Sequence, residues 1–214
     1  LGYKAIVFTV DAPRLGTRER DERNSFKMPD HLTLGNFIGT KFEQFDKIEE
    51  YDGSSMNLHS DHLFDPSLTF DIIPWIKEQS ELPVLVKGIL RPDDATQALN
   101  YGADGIIISN HGGRQLDTAV PTLKQIEPIR NTVGYEPLII VDGGIRRGTD
   151  ILKCIALGAD AVQIGRPLLW GLQYDGKKGV ELVLNILKSE FTEAMILSGC
   201  KNLSEITSDL VSKD

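Results

Sequence analysis

The chain has 214 residues, a formal net charge of −8 and 41% hydrophobic residues. This length supports one domain with a real core, and the acidic balance argues against nucleic acid or an anionic membrane surface as the main partner. The two cysteines, Cys154 and Cys200, suggest no disulfide framework and fit a reducing compartment. No uncharged run is long enough to span a bilayer, and no signal peptide is recognisable. We therefore expect a cytoplasmic protein, or a peroxisomal one if it is eukaryotic.

Five apolar segments predict buried strands that alternate with helices. The strands are expected over residues 4–11, 82–88, 105–108, 137–141 and 161–167. Continuous apolar runs rich in valine and isoleucine are typical of strands that are buried on both faces of a parallel sheet. The helices are expected from residue 65, over residues 91–100, 121–130, 149–157 and 179–197, with 203–211 as a further candidate.

Local residues set the expected ends of these helices. Asp65 or Ser67 could cap the first one. Pro92 is allowed in the first turn of the second, and Gly158 closes the fourth as a C-cap. The apolar spacing predicts that the first helix buries one face, formed by Leu68, Ile72, Trp75 and Ile76.

The pattern of strand, loop and helix repeats without a hairpin signal, which implies a parallel sheet with right-handed crossovers. The fold class is therefore α/β, and its closed form is the TIM (β/α)8 barrel. About five of the eight strand–helix units are present, and the chain starts abruptly at Leu1. We expect residues 1–214 to be the C-terminal part of a single barrel domain, with three units before Leu1. Alone, this part would leave open strand edges, so we expect it to be inactive without the rest.

A long irregular insertion is predicted from about residue 24 to residue 65. It exceeds usual loop lengths, and its turn-forming composition predicts a mobile surface segment that could act as a lid. His31, His59 and His62 lie in it. His59 and His62 could face one way on a helix, but no nearby Cys or Glu completes a ligand pattern, so no metal site is expected.

The segment from Gly105 to Asp117 is the centre of the predicted site. His111 and Arg114 follow the end of a buried strand, where α/β barrels place their active sites. Histidine moves protons near neutral pH, and arginine clamps a carboxylate with two parallel hydrogen bonds. Taken alone, His111 could equally be a loop residue hydrogen-bonded to the main chain. The charged and glycine-rich loops at other strand ends favour the catalytic interpretation.

Two later strand ends predict a phosphate site. Gly143, Gly144 and Arg146 follow one strand, and Gly165 and Arg166 follow the next. Glycine N–H groups, helix N-termini and arginines together form an anion cradle, and barrels commonly bind phosphate after their last two strands. The alternative is turn glycines with surface arginines, and the repetition on consecutive strands favours phosphate.

Together these residues resemble the FMN-dependent 2-hydroxy-acid oxidase and dehydrogenase family, which includes glycolate oxidase, lactate oxidase and the cytochrome-fused lactate dehydrogenases. The resemblance covers nearly the whole chain, and the run Ser-Asn-His-Gly-Gly-Arg-Gln-Leu-Asp at residues 109–117 is highly specific. Residues 28–34 are closer to the oxidase branch than to the cytochrome-fused one. The other matching segments are residues 9–13 with Gly16, Arg18 and Glu19, residues 85–88, residues 142–150 and residues 165–167.

The resemblance implies FMN as the cofactor and gives roles to four side chains at the substrate. His111 is the active-site base, and Asp11 pairs with it and stabilises the imidazolium. Arg114 binds the substrate carboxylate, and Arg18 lies near the substrate or the flavin edge.

The resemblance also implies a set of cofactor contacts. Lys87 lies beside the flavin ring, where a cation stabilises the anionic reduced flavin. Thr9 and Ser109 contact the flavin. The ribityl chain and the phosphate are held by Asp142, Gly143, Gly144, Arg146, Gly165 and Arg166.

The implied activity is the oxidation of an L-2-hydroxy acid, glycolate or L-lactate, to the 2-oxo acid, with oxygen or another acceptor reoxidising the flavin. The family often forms tetramers, so a homo-oligomer is implied as well. Two alternatives stay open. One is another phosphate-binding barrel without flavin chemistry, and the other is a non-catalytic barrel remnant that binds a partner or an anion.

Overall fold

The computed structural model describes residues 2–27, 29, 31–40 and 64–212. The chain divides into two compact units, the larger formed by residues 1–11 and 69–214 and the smaller by residues 12–68. In the smaller unit, the described residues form helix α1 (Glu19–Arg23) and a 3₁₀ turn at Gly35–Phe37. Much of the predicted insertion, including His59 and His62, lies outside the described residues, and a lid there stays a prediction.

The larger unit is built on one parallel sheet, as the sequence predicts. The strands run in chain order from one edge of the sheet to the other, and Phe8, Val86, Ile106 and Ile139 lie side by side across it. Because all strands point the same way, the loops that follow them converge at one edge. The strands are β1 (Ile6–Thr9), β2 (Val84–Ile89), β3 (Gly105–Ile108), β4 (Leu138–Val141) and β5 (Ala161–Val162).

The core lies between the sheet and the helices that connect its strands. All four residues of β3 are buried, since a strand in the middle of a parallel sheet has no face toward water. Ile73, Ile126 and Ile129 pack from the helices into the same cluster, and each such side chain contributes roughly 1.5–3 kcal/mol by leaving water. The helices are α2 (Ile72–Gln79), α3 (Pro92–Asn100), α4 (Leu123–Val133), α5 (Gly148–Ala156) and α6 (Arg166–Leu197).

The prediction for the start of α2 is wrong. Asp65 Oδ1 accepts hydrogen bonds from the main-chain N–H and the hydroxyl of Ser67, which closes a local turn in place of a helix cap. The helix begins only at Ile72. Its fully buried side chain is Ile73, whereas Trp75, predicted on the buried face, is 55% exposed.

Helix α6 spans Arg166–Leu197, and its second part corresponds to the helix predicted over residues 179–197, whereas its first part was not predicted. Pro167 occupies its first turn, and the helix is interrupted at Asp175 and Gly176, whose main-chain dihedral angles are not helical. The glycines that weaken the helical signal are needed for packing, because a Cβ at Gly179 would lie 1.8 Å from the carbonyl oxygen of Gly171. No helix in the described part of the chain is long and apolar enough to cross a membrane.

Two further segments near the C-terminus differ from their predictions. The last strand was predicted over residues 161–167 but ends at Val162, since Gly165 already caps helix α6. The helix predicted over residues 203–211 is replaced by two 3₁₀ turns, and Asn202 caps the first of them through its side chain. The other predicted strands and helices are confirmed, with boundaries that differ by at most three residues.

Glu190 joins helix α6 to the N-terminus of α5. Its carboxylate accepts a hydrogen bond of 2.8 Å from the main-chain N–H of Gly148 and one of 2.7 Å from Arg147 Nη1. The hydrogen bond from the Gly148 N–H lowers the pKa of Glu190 most, and the hydrogen bond from Arg147 lowers it further. The ionised carboxylate is thus favoured in the folded chain.

We expect Glu190→Gln in the full-length protein to lower the free energy of unfolding at pH 7 by a modest amount. The folded pKa is below the unfolded one, so this contribution is complete above the unfolded pKa and disappears as the pH falls through the folded pKa. The difference between variant and wild type should therefore shrink in acid. Urea unfolding at a series of pH values checks this. Glu193→Gln, on the exposed face of the same helix, should show no such pH-dependent difference, and an equal effect of both variants would contradict the prediction.

Candidate functional site

A cavity of about 770 Å³ opens at the edge of the sheet where the strands end. Its walls come from the ends of β2 and β4 and from the loops that follow β3, β4 and β5. Most of the predicted site residues lie around it. They are Lys87, His111, Arg114, Asp142, Gly143, Gly144, Arg146, Gly165 and Arg166.

His111 and Asp11 form a pair although they are far apart in sequence. His111 Nδ1 lies 3.0 Å from Asp11 Oδ1. A carboxylate can only accept this bond, so the proton is on Nδ1 and Nε2 has the free lone pair. The other carboxylate oxygen of Asp11, Oδ2, is buried without a hydrogen-bond partner among the described residues. The pair therefore has the geometry of a base with an orienting carboxylate.

Gly88 makes this pair possible. It lies at an irregularity of β2 between Lys87 and Ile89 and has φ of +107°. A Cβ at Gly88 would lie 2.7 Å from the Cβ of Asp11, so only glycine at position 88 lets Asp11, just after β1, lie this close to β2. Gln115 Nε2 also donates to the main-chain oxygen of Asp11 at 3.1 Å. Asp11 is thus fixed from two sides.

A second cluster of polar side chains, formed by Lys87, Ser109 and Asp142, links the ends of three neighbouring strands. Lys87 Nζ donates to Ser109 Oγ at 2.7 Å, and Ser109 Oγ donates to Asp142 Oδ1 at 2.7 Å. Lys87 Nζ also lies 3.1 Å from Asp142 Oδ2, and both charged side chains are less than 20% exposed. The cation at the cavity wall is therefore held by two partners.

Arg114 brings an exposed guanidinium to the cavity wall. In the described part of the chain this guanidinium makes no hydrogen bond and no ion pair, while its main-chain N–H donates to the carbonyl oxygen of His111 at 3.3 Å. A cation in a cavity wall next to a base is suited to binding a carboxylate.

The loops after β4 and β5 form the other side of the cavity. Gly143 and Gly144 have φ of +94° and +81°, and Gly165 is the N-cap of α6. Arg166 Nη2 donates to the carbonyl oxygen of Gly112 at 2.6 Å, which joins this side to the loop that carries His111. The Arg146 guanidinium lies over the ring of Trp170, 5.2 Å from its centroid.

The chain matches the FMN-dependent dehydrogenase family over residues 1–213. It belongs to this family. The 2-hydroxyacid oxidase 1 of Mus musculus is 47% identical over 213 residues, which are 100% of this chain and 58% of the mouse protein. The L-lactate oxidase of Nostoc sp. is 46% identical over 96% of this chain and 56% of its own length. The glycolate oxidase of Spinacia oleracea is 42% identical over 100% of this chain and 57% of its own length.

Solved structures of this FMN-dependent dehydrogenase family agree with the fold. A mandelate oxidase crystallised with (S)-4-hydroxymandelic acid has a TM-score of 0.89 and 41% sequence identity, over 97% of this chain and 57% of the oxidase. The predicted fold class, an α/β chain that forms part of a TIM barrel, is confirmed. The chain spans a little more than half the length of the relatives that it matches.

Asp11 contacts His111 without lining the cavity, and three further predicted site residues do not line it either. Ser109 is fully buried behind its wall. Thr9 ends the edge strand β1 with an exposed side chain. Arg18 belongs to the smaller unit, where it precedes helix α1. The roles of all three stay predictions.

Six further residues line the cavity that the sequence did not predict as part of the site. Among them, Gln163 could have been recognised, because its polar side chain interrupts the apolar run of the last predicted strand. The apolar residues and Trp170 carried no signal, since side chains at the start of a helix after a strand usually pack in the core. The unassigned lining residues are Gly112, Ile145, Gln163, Ile164, Leu168 and Leu169.

Proposed function

We propose that the full-length protein binds FMN in this cavity and oxidises an L-2-hydroxy acid, glycolate or L-lactate, to the 2-oxo acid. The observation that carries the proposal is one cavity that combines the His111–Asp11 pair, the guanidinium of Arg114 and two glycine–arginine loops. In this proposal the five strand–helix units form the C-terminal part of a single barrel domain whose complete form is the active enzyme.

The side opposite His111 fits the phosphate and ribityl chain of FMN. Apart from the adjacent residues, no group in the described part of the chain lies within 4 Å of a Cβ placed on Gly144 or Gly165, so the main chain at both positions is open to a ligand. The N-terminus of α6 presents the positive end of its dipole at Gly165. Arg146 and Arg166 add positive charge, and the cavity volume of about 770 Å³ is within the usual range for small ligands.

The residues on the other side supply the acid–base chemistry. Nε2 of His111 accepts the proton of the substrate hydroxyl, and the Asp11 carboxylate stabilises the resulting imidazolium across the 3.0 Å contact. Arg114 holds the substrate carboxylate, which fixes the hydroxyl-bearing carbon relative to the base. As the hydroxyl proton goes to His111, the hydrogen and the electron pair of the C–H bond at this carbon would pass to bound FMN, which supplies the redox chemistry. Lys87 contributes a fixed positive charge at the cavity wall.

The test is to add FMN to the full-length protein, remove oxygen, and follow flavin absorbance after adding L-lactate or glycolate. Bleaching by one acid and not by the other would establish the reaction class and the substrate together. Bound flavin that neither acid bleaches would retain the cofactor site and reject the substrate assignment. Absence of bound flavin would reject the proposal and favour another phosphate-binding barrel or a non-catalytic remnant.

The proposal extends to assembly and location. A homo-oligomer, a tetramer by the family resemblance, is the proposed state of the full-length protein. Its proposed location is the cytoplasm, with the peroxisome as the alternative, since one relative is a peroxisomal (S)-2-hydroxyacid oxidase of Arabidopsis thaliana.

A further inference from the structure

Ser109 is fully buried and contacts three polar groups from three parts of the chain. Its hydroxyl lies 2.7 Å from Lys87 Nζ on β2 and 2.7 Å from Asp142 Oδ1 after β4. It also lies 3.0 Å from the main-chain nitrogen of His111. No other side chain of the described site joins the proposed base, the cation and a carboxylate.

The direction of each bond follows from the chemistry of its partner. An ammonium group and a main-chain N–H can only donate, and a carboxylate can only accept. Ser109 Oγ therefore accepts from Lys87 and from His111 and donates its one hydrogen to Asp142. A hydroxyl has one hydrogen and two lone pairs, so all of its hydrogen-bonding capacity is used within the protein.

We infer that Ser109 is a positioning residue, whose hydroxyl holds the Lys87 ammonium and the His111 main chain at once. This inference rests on the proposed function, because it concerns how the proposed base and cation are kept in place.

His111 needs such support because its main chain is unusual. Its φ is +54°, in the left-handed region that non-glycine residues seldom adopt. The bond from His111 N–H to Ser109 Oγ favours this conformation, which aims the ring at Asp11. Without the hydroxyl, the N–H loses its acceptor and the main chain can relax toward negative φ. The Nδ1 to Oδ1 contact with Asp11 should then lengthen.

Lys87 and Asp142 also depend on the hydroxyl. The ion pair between Lys87 Nζ and Asp142 Oδ2 is 3.1 Å long, and Ser109 gives each partner a second bond. Removal of the hydroxyl leaves the two charges to satisfy each other, since both are mostly buried. A tighter ion pair draws the ammonium toward Asp142 and reduces the positive charge available to the reduced, anionic cofactor. The reduction potential of bound FMN should fall.

The experiment compares Ser109→Ala, Ser109→Cys and Thr122→Val in the full-length protein. Ser109→Ala should bind FMN with nearly wild-type affinity, lower its reduction potential, and slow flavin reduction by roughly 10- to 100-fold, the usual effect of removing a hydrogen bond to charged groups. Ser109→Cys replaces the hydroxyl by a thiol, a weaker donor and acceptor of similar size, so its reduction potential and rate should lie between those of the wild type and the alanine variant. If the alanine variant does not fold, the cysteine variant is compared with the wild type instead. Thr122→Val removes another buried hydroxyl, which donates a hydrogen bond to the main-chain oxygen of Gly143, and it should leave the potential unchanged.

Two outcomes would overturn the inference. A large loss of FMN affinity with an unchanged potential would make Ser109 a direct cofactor contact, and wild-type values throughout would mean that it positions nothing. A crystal structure of cofactor-free Ser109→Ala gives a readout that does not depend on FMN. A changed φ at His111 and a longer Asp11 contact support the inference even if the wild-type protein proves not to bind FMN, whereas an unchanged His111 conformation contradicts it.

Discussion

Replacing His111 by glutamine in the full-length protein is expected to slow flavin reduction by roughly 10⁴-fold, the upper end of what a general base contributes, while FMN stays bound. The glutamine amide can still hydrogen-bond to Asp11, but it cannot take a proton from the substrate hydroxyl. The loops after β4 and β5, which are proposed to bind the phosphate, are not changed by this substitution. Anaerobic stopped-flow absorbance measures the rate, and the flavin released on denaturation measures the FMN content.

Lys153→Gln is the control for this substitution. Lys153 is exposed on helix α5 of the larger unit and does not line the cavity, so exchanging this basic side chain for glutamine should leave the rate unchanged. Fast bleaching in the His111 variant would remove His111 from the role of base. Loss of FMN from the His111 variant would instead mean that this histidine is part of the cofactor site.

Much of the architecture could be predicted because the physical signals are local. The strands are apolar runs bounded by Gly, Pro and charged residues, and the absence of hairpin turns indicates a parallel sheet. The closeness of Asp11 and His111 then follows from sheet order, because β1 and β3 are separated only by β2. Motif residues at strand ends could therefore be assigned to one site before any distance was known.

One feature that the sequence did not predict is a choice between two local structures, and the others depend on contacts between distant residues. Nothing near Asp65 in sequence distinguishes a helix cap from the turn with Ser67 that it forms. The first half of α6 was missed because Gly171 and Gly179 lower helix propensity, although their lack of side chains allows the close packing there. The bonds of Ser109 to Lys87 and Asp142 were equally hidden, since these partners lie 22 and 33 residues away in sequence.

Gly148→Ala is expected to lower the free energy of unfolding of the full-length protein by about 3 kcal/mol or more, the upper range for an overpacked core. A Cβ at Gly148 would lie 2.0 Å from the main-chain nitrogen of Phe191 and 2.2 Å from the carbonyl carbon of Glu190. Helix propensity alone would favour alanine by about 1 kcal/mol. The steric cost exceeds this gain, because two main chains must separate where α5 meets α6.

Gly35→Ala separates this steric effect from a general effect of replacing glycine. Among the described residues, no group other than the chain neighbours of Gly35 lies within 4 Å of a Cβ placed there, so thermal and urea unfolding of this variant should remain close to wild type. The Gly148 variant should also bind FMN more weakly, because Gly148 directly follows the loop that contains Gly144 and Arg146. A Gly148 variant that unfolds like the wild type would show that α5 and α6 separate at little cost, and the glycine would then serve no packing role.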